Sequence, residues 1–124
     1  MSRQQNSTNE HGRAQKRSQN FADRAHRDAL DTQKRQAERE ASFARTALGF
    51  LQAEADTGLT LSRIAAESGD AEVRARNRAH ARHAYDKLLK YRGTAADDAS
   101  QTLEALDAKI AKLRDQLQSL GETL

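Results

Sequence analysis

The sequence predicts an all-α fold: an antiparallel three-helix bundle behind a disordered N-terminal tail. Three observations carry this. Proline is absent, although ordinary usage would place roughly six in a chain of this length. Ala, Arg, Gln, Leu, Glu and Asp dominate, and most of these are good helix formers. Val and Ile occur only as Val73, Ile64 and Ile110, which leaves little material for strands.

A chain of 124 residues fits one small domain with some length to spare. Apolar residues make up 36% and charged residues 31%, so the core must be lean. Cysteine is absent, which excludes disulfides, thiolate nucleophiles and zinc–thiolate sites. The opening "MSRQQNSTNEHGRAQKRSQN" has no apolar stretch, so a secretory signal is not expected. No run approaches the ~18 apolar residues that span a bilayer. No membrane contact and a cytoplasmic location are the expectation. The net charge of +3, from 21 basic and 18 acidic residues, is mild and does not by itself imply a polyanionic partner.

Residues 1–20 are almost wholly polar and cannot bury enough apolar area to offset their ordering entropy, so they read as a disordered tail. Residues 21–40 are helix-friendly, but their apolar positions are mostly Ala; they read as a marginal helical extension. The helical domain is expected over residues 41–121. Its first helix places Phe43, Ala44, Ala47, Leu48, Phe50, Leu51 and Ala55 on one broad arc, with Arg45, Gln52 and Ala53 opposite. The pattern resumes beyond Gly58 through Leu61, Ile64 and Ala65. The first choice is therefore one helix to about Glu67 with a soft point at Gly58, and the second is a break there.

"SGD" at 68–70 punctuates the chain. Gly69 suits a left-handed C′ position and Asp70 an N-cap, with Glu72 in the first turn that follows. "RGTAAD" repeats the grammar: Gly93 ends the second helix, Thr94 caps the third, and Asp97 takes a capping-box position. Gly121 ends the third. Both connections are short on this reading, which makes consecutive helices antiparallel neighbours. The third helix spaces Ala96, Ala99, Leu103, Leu106, Ile110, Leu113, Leu117 and Leu120 by alternating threes and fours, an a/d heptad seam. Such a seam closes a bundle from within or pairs with a second chain. The internal use is the commoner, and self-association through Leu103, Leu106, Ile110, Leu113, Leu117 and Leu120 is the other.

The basic stretch "VRARNRAHARHAYDKLLKY", residues 73–91, resolves on a helical wheel. Val73, Asn77, Ala81, Ala84, Tyr85, Leu88 and Tyr91 share one side. Arg74, Arg78, Arg82 and Arg92 line one flank, and Arg76, His83, Lys87 and Lys90 line the other. Charged stems bordering a packing face explain this pattern, since their heads stay in water. If a partner or nucleic acid is contacted here, Arg74, Arg78 and Arg82 are the candidate residues. Against nucleic acid, the pattern offers no exposed aromatics for stacking.

No catalytic constellation emerges. His80, His83 and Asp86 step around the helix by about 60° each and do not converge on a metal. No phosphate loop, nucleophile elbow or metalloprotease motif is present. The expectation is no enzyme, no cofactor and no metal.

"ARHAYDKLLKY", residues 81–91, resembles the second helix of a tetratricopeptide repeat, with Ala81, Tyr85 and Leu88 at its small, aromatic and apolar positions. "ALGFLQAE", residues 47–54, is similar to its first helix at Leu48 and Gly49. The two matches stand about twenty residues further apart than the ~34-residue repeat allows, and Gly93 and Thr94 occupy the region of its proline. Residues 41–121 also resemble small uncharacterised bacterial helical proteins with an "ARxAYDxxL" helix before a heptad-rich one. The resemblance implies a TPR-like hairpin with a third helix packed on it, a fold that usually binds other proteins. A non-enzymatic protein-interaction module with an unknown protein partner is therefore the expected function, and a basic nucleic-acid-associated helical protein is the alternative.

Overall fold

The computed structural model describes the backbone of residues 2–124 and the side chains from residue 15 onward. Helix α1 spans Ser2–Glu67, α2 Ala71–Tyr91 and α3 Leu103–Ser119, with a 3-10 turn at Arg92–Thr94. The described residues contain no strand, and none of their helices is long and apolar enough to cross a membrane. The all-α three-helix bundle is the observed fold.

The chain divides into two units, residues 1–40 and 41–124. In the first, the expected tail falls largely on residues 1–14, outside the described side chains. Residues 15–40 are helical and exposed. Local side-chain bonds run along it: Thr32 Oγ1 donates to the Asp28 carbonyl at 2.8 Å and Gln36 Nε2 to Glu40 Oε1 at 3.3 Å. Helix already formed at residue 21 extends through 15–20 because propagation, unlike nucleation, fixes one residue per hydrogen bond gained.

The second unit holds the core. Leu48, Leu51 and Ala55 of α1 meet Ala81, Tyr85 and Leu88 of α2 and Leu106, Leu113 and Leu117 of α3. The heptad seam thus serves the chain's own interior, with Leu103 and Ile110 partly buried against it. α1 runs unbroken through Gly58. A Cβ at Gly58 would stand 2.7 Å from Leu113 Cδ2 and 3.2 Å from Ala84 Cβ. The residue that reads as a soft point is the place where three helices touch, and hydrogen alone fits between them.

Several boundaries differ from the sequence reading. Asp70 does cap α2, its Oδ1 accepting from the Glu72 and Val73 amides at 2.8 and 3.1 Å. Gly69, however, is not left-handed; among the described residues only Gly121 has a positive φ, +96°. The end of α1 is satisfied instead by Arg74 Nη1, which donates to the Ser68 carbonyl at 3.1 Å. At α3 the left-handed glycine does appear. The Gly121 amide donates to the Gln118 carbonyl at 3.0 Å and that of Glu122 to the Leu117 carbonyl at 3.0 Å, a Schellman ending.

The larger correction concerns the start of α3. Thr94 does not cap it, and Ala96 and Ala99 lie outside it. Residue 95 is extended, and the Ala96 amide donates to the Ala44 carbonyl at 3.1 Å. Asp98 Oδ1 accepts from the Ser100 and Gln101 amides at 2.7 and 3.0 Å, and Asp97 Oδ1 from the Leu103 amide at 2.6 Å. Short polar side chains here offer the backbone an alternative to helix. Thr102 is the N-cap, accepting from the Ala105 amide at 3.0 Å. The second connection therefore carries the chain from the end of α2 back across α1.

Candidate functional site

The broad apolar arc of α1 is wider than its neighbours cover. Its Leu48 edge is sealed by the core, while Phe43 and Phe50 remain 68% and 73% exposed. Both were expected in the buried face. The packing centre lies instead on Leu48, Gln52, Ala55, Gly58, Ser62 and Ala65, every one of them buried. Gln52, placed opposite the apolar arc in the sequence reading, is 7% exposed, and its Nε2 donates to the Thr102 carbonyl at 3.4 Å. Ser62 Oγ bonds both the Leu59 carbonyl, at 2.9 Å, and Gln116 Oε1. Polar side chains that reach α3 and its leading loop thus rotate the helix, turning the two phenylalanines outward.

Tyr91 follows them. It was expected in the packing face of α2 and is 46% exposed, whereas Tyr85 is buried at 6%. Beyond Tyr91 the helix gives way to the 3-10 turn, and among the described residues no element fully covers the ring. Phe43, Thr46, Ala47, Phe50, Leu51 and Glu54 of α1 face Lys87 and Tyr91 of α2, with Thr94 closing the end. Together they form an apolar groove of about 340 Å³. Its polar rim is a contact between Lys87 Nζ and Glu54 Oε1 at 3.8 Å, and Lys90 Nζ stands 5.2 Å from the Tyr91 ring centre. A second, more polar hollow joins Ser42, Arg45, Gly49, Asp98 and Gln101. Hydrogen bonds from the Ser100 amide and hydroxyl, aided by Arg45, hold the Asp98 carboxyl below the usual range.

The candidate contacts Arg74, Arg78 and Arg82 are occupied within the chain. Arg74 holds Ser68, as described. Arg78 Nε and Arg82 Nη1 grip the two oxygens of Glu122 at 3.0 and 3.3 Å. Arg82 also donates to Asp86 Oδ1 at 3.1 Å and to the Thr123 carbonyl at 3.0 Å. This flank clasps the C-terminal segment, whose Leu124 packs against the core. Asp86 is committed to Arg82. Among the described residues no group of His, Cys, Asp or Glu is placed to hold a metal ion.

The groove escaped the sequence reading because hydropathy marks Phe43, Phe50 and Tyr91 as core. One signal was available: the arc on α1 was broader than two neighbouring helices cover. No family model, curated protein or solved structure matches the chain.

Proposed function

We propose that this protein is a non-enzymatic, cytoplasmic interaction module that holds a partner protein in the groove between α1 and α2. One observation carries the reading. Of the five aromatic residues in the chain, Phe43, Phe50 and Tyr91 gather around one apolar groove and remain exposed. Exposed apolar surface rimmed by polar groups marks interaction sites, and aromatic anchors dominate their energetics. The TPR-like resemblance points the same way, with Ala81, Tyr85 and Leu88 all buried as a hairpin's second helix requires.

The test is photo-crosslinking from position 50 in a nuclease-treated lysate of the source organism. Defined cross-linked proteins are expected, lost in Phe43→Ser and retained in Arg78→Gln. Cross-links that are diffuse, or indifferent to Phe43→Ser, refute the reading. The nucleic-acid alternative gains one observation, since exposed aromatics beside Lys87 and Lys90 are what single-strand binders use. Binding to an oligodeoxythymidylate that weakens steeply with salt and disappears in Phe50→Ser would establish it instead.

A further inference from the structure

The two flanks of α2 differ in how their charge is answered. On one, Arg78 and Arg82 are neutralised by Glu122 and Asp86. The other carries Arg76, His80, His83, Lys87 and Lys90, spaced by alternating fours and threes and all exposed. No acidic residue interrupts this stripe. Its one ion-pair contact among the described residues is that of Lys87 with Glu54, at a long 3.8 Å. Since Lys87 also lines the groove, the stripe adjoins it.

A second periodicity runs along α1. Phe43, Phe50 and Ile64 are separated by multiples of seven residues and are 68%, 73% and 40% exposed. Residues in that register share one helix face. At a rise of about 1.5 Å per residue the row reaches roughly 31 Å from Phe43 to Ile64, with Thr57 in the same register between Phe50 and Ile64, and the basic stripe extends roughly 21 Å. An exposed apolar row and a basic stripe, both in heptad register and joined at the groove, match an amphipathic helix with one apolar and one acidic face.

We propose that the groove receives such a helix from a partner protein, of about four turns, its apolar anchors between Phe43, Phe50 and Tyr91 and its carboxylates against Arg76, Lys87 and Lys90. This rests on the reading that the groove binds protein. A second copy of this chain would bring the same unanswered basic stripe, and like charges facing each other are disfavoured. A single nucleic-acid strand fits less well. Glu54 puts a carboxylate in the groove wall, and rings seven residues apart stand about 10 Å apart along the helix, too far for consecutive bases to stack on them.

The experiment measures fluorescence anisotropy of two synthetic helical peptides against the full chain at low salt. Both carry leucine at a and d positions; one has glutamate at the flanking positions and the other lysine. The glutamate peptide is expected to bind about tenfold or more tightly than the lysine peptide, with the gap closing at high salt. Lys87→Glu with Lys90→Glu should invert the preference, and Phe50→Ser should weaken the glutamate peptide at least about tenfold. These side chains are exposed, so unchanged circular dichroism and melting temperature confirm that each variant folds. Equal binding of both peptides, or of neither, overturns the inference. If Phe43→Ser abolishes cross-linking in lysate while Lys87→Glu with Lys90→Glu leaves it intact, the groove reading stands and the acidic-helix inference falls. Displacement of the peptide by an oligodeoxythymidylate, or a dimer in sedimentation that Phe50→Ser dissolves, overturns it in favour of the other occupants.

Discussion

Replacing Gly58 with alanine sets two effects of similar size against each other. In a helix interior alanine is favoured over glycine by about 1 kcal/mol. The new methyl, however, would lie 2.7 Å from Leu113 Cδ2 and 3.2 Å from Ala84 Cβ. Leu113 is fully buried and Ala84 nearly so, which leaves neither much room to give. Overpacking of this kind costs about 1–3 kcal/mol. The net expectation is a loss of about 0–2 kcal/mol. Gly49 supplies the control on the same helix. A Cβ there meets only Gln101 Oε1, at an ordinary 3.7 Å. Gly49→Ala should therefore gain nearly the full propensity term, raising the melting temperature by about 4–8 °C for a domain of this size. Thermal unfolding followed by circular dichroism reads both. Shortening Leu113 should relieve the crowding, so Gly58→Ala should be less harmful in a Leu113→Ala background than alone. If Gly58→Ala raises the melting temperature as much as Gly49→Ala does, the three helices do not meet at Gly58 as described.

Leu106→Asp or Leu113→Asp should unfold residues 41–124 outright, because each would bury an unpaired carboxylate at a cost of several kcal/mol; a retained helical spectrum with a cooperative melt would contradict this. Glu122→Gln should release the clasp from Arg78 and Arg82. The expected loss is about 0–1 kcal/mol per pair, with faster amide exchange confined to residues 120–124 and the near-absence of the effect in high salt; unchanged exchange there would count against the clasp. Asp98 and Asp107 are held below the usual carboxylate range, the first by bonds from Ser100 and the second by its bond from Arg92. Each carboxylate binds its proton less readily folded than unfolded, so its stabilisation is complete above the unfolded value of about 3.9 and disappears as pH falls through the folded one. Denaturation midpoints below about pH 4 should fall less steeply in Asp98→Asn and Asp107→Asn than in the parent; parallel slopes would refute the linkage.

Helical class, the continuity of α1 to Glu67, the Asp70 cap, the Gly121 ending and the Leu106–Leu113–Leu117 seam were all legible in the sequence. Each rests on interactions within a few residues: propensity, a side chain bonding an amide two or three positions on, or the repeat of one helix face. The start of α3 was legible only in part. Thr94 with Asp97 and Thr102 with Ala105 are both plausible starts locally, and the bonds made by Asp97 and Asp98, together with the crossing to Ala44, select the later one. What tertiary structure alone decided is which part of each apolar arc is covered. Hydropathy assigns Phe43, Phe50 and Tyr91 to a core, but burial depends on the rotation of α1, and that rotation is set by distant partners: Gln52 with Thr102, Ser62 with Gln116, and Gly58 against Leu113 and Ala84. The same holds for charge. Arg78 and Lys87 look alike along the chain, yet the folded C-terminus delivers Glu122 to the flank of Arg78, while among the described residues the opposite flank meets only Glu54, at Lys87. A helix wheel places residues in directions, and only the packed neighbours determine which of those directions face solvent.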